Sequence, residues 1–80
     1  MMTTTYDIER GMWNGKWKDW GSDSTGQIGL VGMATDEAYL PLGDFETGSW
    51  ALAQDTHKIY FFNKDLQQWT QKGRIVVLAP

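Results

Sequence analysis

The chain has one histidine, His57, and no cysteine, so few of its residues suit nucleophilic or metal chemistry. A serine hydrolase needs a histidine held between a nucleophile and an orienting acid. His57 stands between Thr56 and Lys58 in a polar segment that predicts a turn, where its imidazole would be solvated. Histidine also tolerates a left-handed backbone better than most residues. We therefore interpret His57 as a turn residue, and the composition excludes a zinc site built from Cys and His.

Two close pairs of acidic residues lie in the middle of the chain, Asp36 with Glu37 and Asp44 with Glu46. Paired carboxylates can hydrolyse glycosides when the surroundings raise the pKa of one of them. Both pairs fall in predicted loops, and a domain this small seldom encloses the roughly 300 Å³ at which substrate pockets begin. No glycine pattern leads into the lysine of a phosphate-binding loop. The sequence therefore predicts a protein that is not an enzyme, with no cofactor and no metal site.

The five tryptophans are the strongest indication of a binding function. Tryptophan is enriched where protein interfaces are anchored, although core packing must use at least two or three of the five. Three of them lie close together near the start of the chain, followed by acidic residues that could form a polar rim. The partner-binding residues predicted here are Trp13, Trp17, Trp20, Asp23, Asp36 and Glu37.

The charge distribution favours protein partners over nucleic acid. The net charge is −3, whereas a general nucleic-acid binder needs a basic face. Seven acids and no Lys or Arg lie between Asp19 and His57, and four bases against one acid follow from Lys58 onward. This asymmetry describes either a solvated acidic region or charge complementarity between copies or with a neighbour. No apolar run approaches the ~18 residues that span a bilayer, and no signal peptide is evident, so we expect no membrane partner.

The segment around Asn14-Gly15 predicts a β-hairpin. An Asn-Gly pair between aromatic residues favours a two-residue turn with positive φ at both positions, and Gly15→Val should disrupt it. The alternative is a helix over residues 12–20, because Trp13, Trp17 and Trp20 share one helical face. The glycines in this region oppose that helix, at about 1 kcal/mol each relative to alanine.

The remaining pattern predicts an all-β fold, a small antiparallel sheet or meander of hairpins. We expect strands over residues 6–12, 27–33, 49–54, 59–62 and 74–78, the last covered on both faces. Residues 35–41 predict a single helical turn, with Leu40 extended because Pro41 follows it. Residues 1–5 are expected to form a flexible arm, and residues 6–80 a single small β domain.

The hairpin of residues 49–62 carries apolar side chains on both faces, and two such faces need two covering layers. Trp50 and Leu52 are large enough to predict the core face, while Ala51 lies on the other. An 80-residue chain has little material for a second cover. We therefore expect Tyr60 or Phe62 to contact a second polypeptide, and a double substitution of both by Asp to give a folded, dissociated monomer.

About half the chain resembles a family of small tailed-bacteriophage proteins. The matching residues are 32–36 (Gly-Met-Ala-Thr-Asp), 47–63 and Trp69, against a family pattern of G-L-S-T-D, G-S with a short strand, D-T-G-K with an aromatic strand, and a Trp. His57 stands where the family usually has Gly. Such proteins are commonly encoded among head and tail genes, so the resemblance implies a structural or accessory component of the virion.

The predicted function is thus a non-enzymatic component of a tailed-phage virion, such as a capsid decoration or head/tail accessory protein. The resemblance implies that it contacts other capsid, neck or tail proteins, and a chain this short leaves strand edges that predict a homo-oligomer. It would reside in the host cytoplasm during assembly and then in the virion. Two alternatives remain open: a soluble phage-encoded inhibitor of a host protein, and a carbohydrate-binding module that uses exposed tryptophans.

Overall fold

A computed structural model describes residues 4–79, which fold into one eight-stranded sheet. The strands follow each other in chain order across the sheet, and every neighbouring pair is antiparallel except β4 with β5. This architecture confirms the all-β prediction. The strands are β1 (Tyr6–Asp7), β2 (Met12–Trp13), β3 (Trp17–Ser22), β4 (Ile28–Gly32), β5 (Trp50–Ala53), β6 (Ile59–Asn63), β7 (Gln68–Gln71) and β8 (Arg74–Ile75).

The turn at Asn14-Gly15 confirms the first hairpin. Both residues have positive φ, 53° and 68°, and the Lys16 N–H donates to the Trp13 carbonyl at 2.9 Å. Trp13 of β2 pairs with Trp17 of β3. The loop between these paired residues therefore contains three residues, one more than the two-residue turn we predicted. A continuous helix over residues 12–20 is therefore absent, and the three tryptophans do not share a helical face.

The predicted strand over residues 6–12 is wrong in its middle, because a turn divides it into β1 and β2. One Asp7 carboxylate oxygen accepts the main-chain N–H groups of Glu9 and Arg10, and the Gly11 N–H donates to the Asp7 carbonyl. These local bonds stabilise a turn that the alternating pattern conceals. Residues 1–3 of the predicted arm lie outside the described residues. Thr5 is anchored just before β1, because its N–H donates to the Asn14 side-chain oxygen and its carbonyl accepts the Asn14 main-chain N–H.

The parallel pairing of β4 with β5 requires a crossover, which residues 33–49 provide. It contains a 3₁₀ segment, Ala34–Tyr39, that is interrupted by non-helical backbone at Asp36, where we expected a single helical turn over residues 35–41; Leu40 is extended before Pro41 as predicted. The crossover covers one face of the sheet, where the buried Trp17 indole donates to the Asp36 carbonyl at 2.9 Å and Trp69 to the Pro41 carbonyl at 2.7 Å. The core therefore lies between the sheet and its own crossover.

The core face of the second hairpin is the opposite of the one we predicted. Ala51 and Ala53 are fully buried, and so are Tyr60 and Phe62 on the facing strand. Trp17 and Tyr60 meet edge to face at 6.0 Å although β4 and β5 separate their strands. Small side chains on the intervening strands leave room for these rings, and the large face carrying Trp50 turns outward.

The segment after Arg74 also differs from the prediction. Only Arg74–Ile75 form a strand, and Val76 alone is buried, whereas Ile75 and Val77 are exposed. The crossover lies on the core side of this segment, and no described element covers the other side. An apolar run on consecutive positions therefore does not indicate here a strand buried on both faces.

Candidate interaction surface

The outward face of the sheet carries a second set of apolar side chains, which we call the outer face: Trp50, Leu52, Ile59, Phe61 and Ile75. Trp50 pairs with Phe61, Phe61 with Thr70, and Thr70 with Ile75, so one row crosses four strands. Leu52 pairs with Ile59 in the adjacent row. Directly opposed residues project from the same face of a sheet. The register therefore brings apolar residues that are distant in sequence onto one face, where Thr70 separates Phe61 from Ile75.

This outer face is open to solvent. Phe61 is 53% exposed, Ile59 46% and Ile75 55%, whereas Tyr60 and Phe62, the neighbours of Phe61 in β6, are buried. Trp50 is half-buried, because one side of its indole lies against Gly29. A Cβ atom at Gly29 would come within 2.3 Å of the Trp50 ring. Large apolar surface exposed in a contiguous patch is characteristic of binding sites.

A groove of about 610 Å³ lies at one end of the outer face. Ile59 and Phe61 supply apolar lining, and residues 56–58 and 70–73 complete it. His57 adopts φ 59° in the first bordering turn, and Lys72 with Gly73 adopt φ 50° and 79° in the second. We did not predict this second turn, for which the Lys-Gly pair between two polar residues is the only signal in the sequence.

Two lysines, Lys58 and Lys72, are exposed at the border of the groove. Neither takes part in an ion pair within residues 4–79. The other bases of this half of the chain are paired: Lys64 lies 2.9 Å from Glu46, and Arg74 lies 2.8 Å from Glu37. The unpaired positive charge of the second half therefore concentrates beside an apolar groove.

The neighbouring carboxylates raise the pKa of both paired bases, Lys64 and Arg74. Glu46, followed by Asp44, raises the pKa of Lys64, and Glu37 raises the pKa of Arg74. In each pair, a hydrogen bond to the carboxylate stabilises the protonated base.

Three of the predicted partner contacts are wrong, because Trp17, Tyr60 and Phe62 are buried in the chain's own core. Substituting Tyr60 and Phe62 by Asp would place two charges in that core, so the structure predicts unfolding rather than a dissociated monomer. The sequence pattern correctly indicated that both faces of the β5–β6 hairpin are apolar. It assigned the wrong one to the core, since the Tyr60 and Phe62 face is buried.

The other two tryptophans of the first hairpin differ in exposure. Trp13 is half-buried, lies edge-on against Phe45 at 5.7 Å and donates to Asp19 at 3.4 Å. Trp20 is 69% exposed and lies where two residues of β3, Trp20 and Gly21, oppose the single residue Gly29 of β4, a β-bulge. A partner role for these two residues stays a prediction, and Trp20 is the more accessible.

The predicted acidic rim is divided among separate structural roles. Asp23 accepts hydrogen bonds from Thr25 and Gln27 within its own loop, and the Thr25 side chain contributes most to the lowered pKa of Asp23. Glu37 binds Arg74, and Asp36 offers its carbonyl to Trp17. The partner contacts predicted for these three acids stay predictions.

Neither a metal-binding cluster nor a membrane-spanning helix is found in the described part of the chain. Among residues 4–79, no three His, Cys, Asp or Glu side chains cluster in the way that metal binding requires. Nor does any helix in that range have the length and apolar character to cross a bilayer.

No protein-family model, curated protein or solved structure matches this chain. The residues of the phage-like pattern nevertheless have definable structural roles. Ser49 is buried, and its hydroxyl accepts the Ile28 N–H at 2.9 Å and donates to the Glu46 carbonyl at 2.8 Å. Asp55 accepts the Ala34 N–H, which joins the two parts of the pattern. The hydrogen bonds of Ser49 and Asp55 therefore stabilise the crossover at both of its ends.

Proposed function

We propose that this chain is a non-enzymatic structural component of a tailed-phage virion, a capsid decoration or head/tail accessory protein, that acts through protein contacts on its outer face. The observation that carries the proposal is the exposure of Phe61, Ile59 and Ile75 on one face of a sheet whose other face holds the buried core. Covering the exposed parts of these side chains would remove further apolar area from water, which favours binding by about 25 cal/mol per Å² before the cost of association.

The backbone at the pattern residues also supports the phage resemblance. The family's usual glycine corresponds to His57, which occupies a left-handed turn position that glycine adopts without strain. Gly48, in the Gly-Ser element of the pattern, has φ 97°, and a Cβ atom there would collide with Gln27. The sequence pattern therefore corresponds to backbone requirements of this fold.

The test uses the intact phage and matched variants of the chain. Purified particles that have been washed and sedimented should contain the protein by mass spectrometry. Phe61→Ser should fold normally yet be depleted from particles, because it removes apolar contact area from the outer face. Leu66→Ser is the matched control, since Leu66 is similarly exposed but lies in the β6–β7 turn.

Particles that lack the wild-type protein would refute this proposal. Recovery of the chain from the soluble lysate in complex with a host protein would support the inhibitor hypothesis in its place. Equal incorporation of Phe61→Ser and wild type would show that the outer face is not the attachment surface.

A further inference from the structure

A second exposed feature of the chain complements the groove in charge and polarity. Ile8 is 83% exposed, the largest exposed fraction among the large apolar residues described, and it lies in the turn between β1 and β2. Asp7 precedes Ile8 and Glu9 follows it, so an apolar side chain projects between two carboxylates. We call residues 7–9 the acidic turn.

We propose that the groove of one copy binds the acidic turn of a second copy. The inference rests on the proposed function, in that it identifies one of the protein partners as the chain itself and assigns the contact to defined residues. Ile8 would cover Ile59 and Phe61, and Glu9 would lie against the lysines at the groove border.

The charges on both sides support this pairing. Lys58 and Lys72 have no ion-pair partner within residues 4–79, and Glu9 takes part in no ion pair there either. Asp7 is already engaged, since it contacts Arg10 at 3.7 Å and accepts two main-chain N–H groups. Glu9 is therefore the carboxylate available for the contact, and opposite charges across an interface also speed encounter and exclude wrong partners.

The contact is intermolecular, because residues 7–9 are not among those that line the groove of their own copy, and it is head to tail. Hydrogen bonds between β1 and β2 hold the acidic turn at one end of the strand order, and the groove lies beside β6, β7 and the turn into β8, toward the other end. A symmetric contact of groove against groove would oppose lysines to lysines. Each copy thus offers one turn and one groove, and a repeated contact of this kind generates a ring or an open chain of subunits.

The contact should be weak for an isolated pair. One turn seated in one groove buries far less than the roughly 1,200 Å² at which stable interfaces begin. We expect a dissociation constant between about 1 μM and 1 mM in solution. Copies held side by side on a particle would associate more strongly, because the second contact becomes intramolecular.

The experiment measures sedimentation of the full chain over a concentration series up to about 1 mM. Wild type should self-associate. Ile8→Ser removes the turn's apolar contact, and Lys58→Glu with Lys72→Glu reverses the charge of the groove, so each variant should sediment as a monomer. Phe61→Ser is a second groove variant in case the charge reversal disturbs folding. The controls Leu66→Ser and Lys16→Glu remove equivalent chemistry elsewhere and should associate as wild type does.

Mixing the two defective variants gives the decisive result. The Ile8→Ser copy keeps a groove and the charge-reversed copy keeps a turn, so the mixture can make one contact and should form 1:1 dimers and nothing larger. A wild-type chain that stays monomeric at about 1 mM, or a mixture without dimers, overturns the inference.

These outcomes are separable from those of the virion test. A monomeric chain that is present on particles refutes the contact between copies and leaves the virion proposal intact. A self-associating chain that is absent from particles refutes the virion proposal and leaves the contact between copies intact.

Discussion

The two faces of the β5–β6 hairpin are both apolar, yet one is buried in the core and the other is partly open to solvent. One face carries Ala51 and Ala53 beside Tyr60 and Phe62, and all four are buried beneath the crossover. The other carries Trp50, Leu52, Ile59 and Phe61, which remain partly or largely exposed. Both faces carry aromatic and aliphatic side chains, so hydrophobicity did not decide which became the core.

Side-chain size made the difference. The core must admit rings from β3, β6 and β7 together with the crossover, and small residues on the strands between them provide the space. A Cβ atom at Gly32 would lie 2.6 Å from the Trp17 ring, which shows how closely that ring approaches the sheet. Small residues in the centre of a sheet can therefore indicate its core face when large rings lie on flanking strands.

The largest expected effect comes from truncating one phenylalanine on each face. Phe62→Ala should reduce the free energy of unfolding by about 3–5 kcal/mol, because it leaves a cavity against Phe45 and Trp69. Phe61→Ala, one residue away on the outer face, should cost about 0.5–1 kcal/mol. Urea unfolding of both variants measures the difference, with Phe62→Leu as a milder substitution if the alanine variant does not fold. Equal losses would contradict the assignment of the two faces.

An intermediate effect is expected from adding a methyl group at two glycines of β4. Gly32→Ala should cost about 1–3 kcal/mol, because the fully buried Trp17 indole cannot move away from the new Cβ atom. Gly29→Ala meets the Trp50 ring even more closely, but that ring lies on the open face and can rotate into solvent, so its cost should stay below about 1 kcal/mol. Chemical denaturation gives both values. A larger loss at Gly29 would show that the outer face is packed as tightly as the core.

The smallest effect concerns the hydroxyl group of Tyr60, which is buried without a hydrogen-bond partner among the described residues. Tyr60→Phe should leave the free energy of unfolding within about 1 kcal/mol of wild type, with any change toward higher stability, because it removes an unsatisfied polar group. The measurement is again urea unfolding at neutral pH. A large loss would indicate that the hydroxyl has a partner in solution.

The same variant also tests the behaviour of Tyr60 at high pH. Burial, with a smaller contribution from Glu37, raises the pKa of Tyr60 above 10.0. The unfolded chain therefore loses the Tyr60 proton at a lower pH than the folded chain. As a result, the free energy of unfolding is unaffected by this proton below pH 10.0 and decreases as the pH rises from there through the pKa of the folded state. Wild type should lose stability relative to Tyr60→Phe above that pH, and parallel pH profiles would contradict the shift.

The sequence alone determined the local features of this protein, because local sterics suffice to specify them. Asn14-Gly15 required a turn with positive φ, Pro41 required an extended Leu40, and the apolar runs from Ile28 and Ile59 predicted strands. The turn at residues 8–11 escaped prediction because the Asp7 side chain stabilises it inside an alternating pattern.

Only the tertiary structure decided which face is buried and where the groove forms. A pattern of period two assigns residues to two faces but does not say which face the rest of the chain covers. That choice came from the crossover, whose carbonyls bind the indoles of Trp17 and Trp69 from 19 and 28 residues away. The groove depends likewise on the β5–β6 connection, residues 54–58, and on the turn at residues 72–73, which become neighbours only when β5 to β8 pair. Contacts between residues this distant in the chain follow from packing of the whole sheet, and no local pattern specifies them.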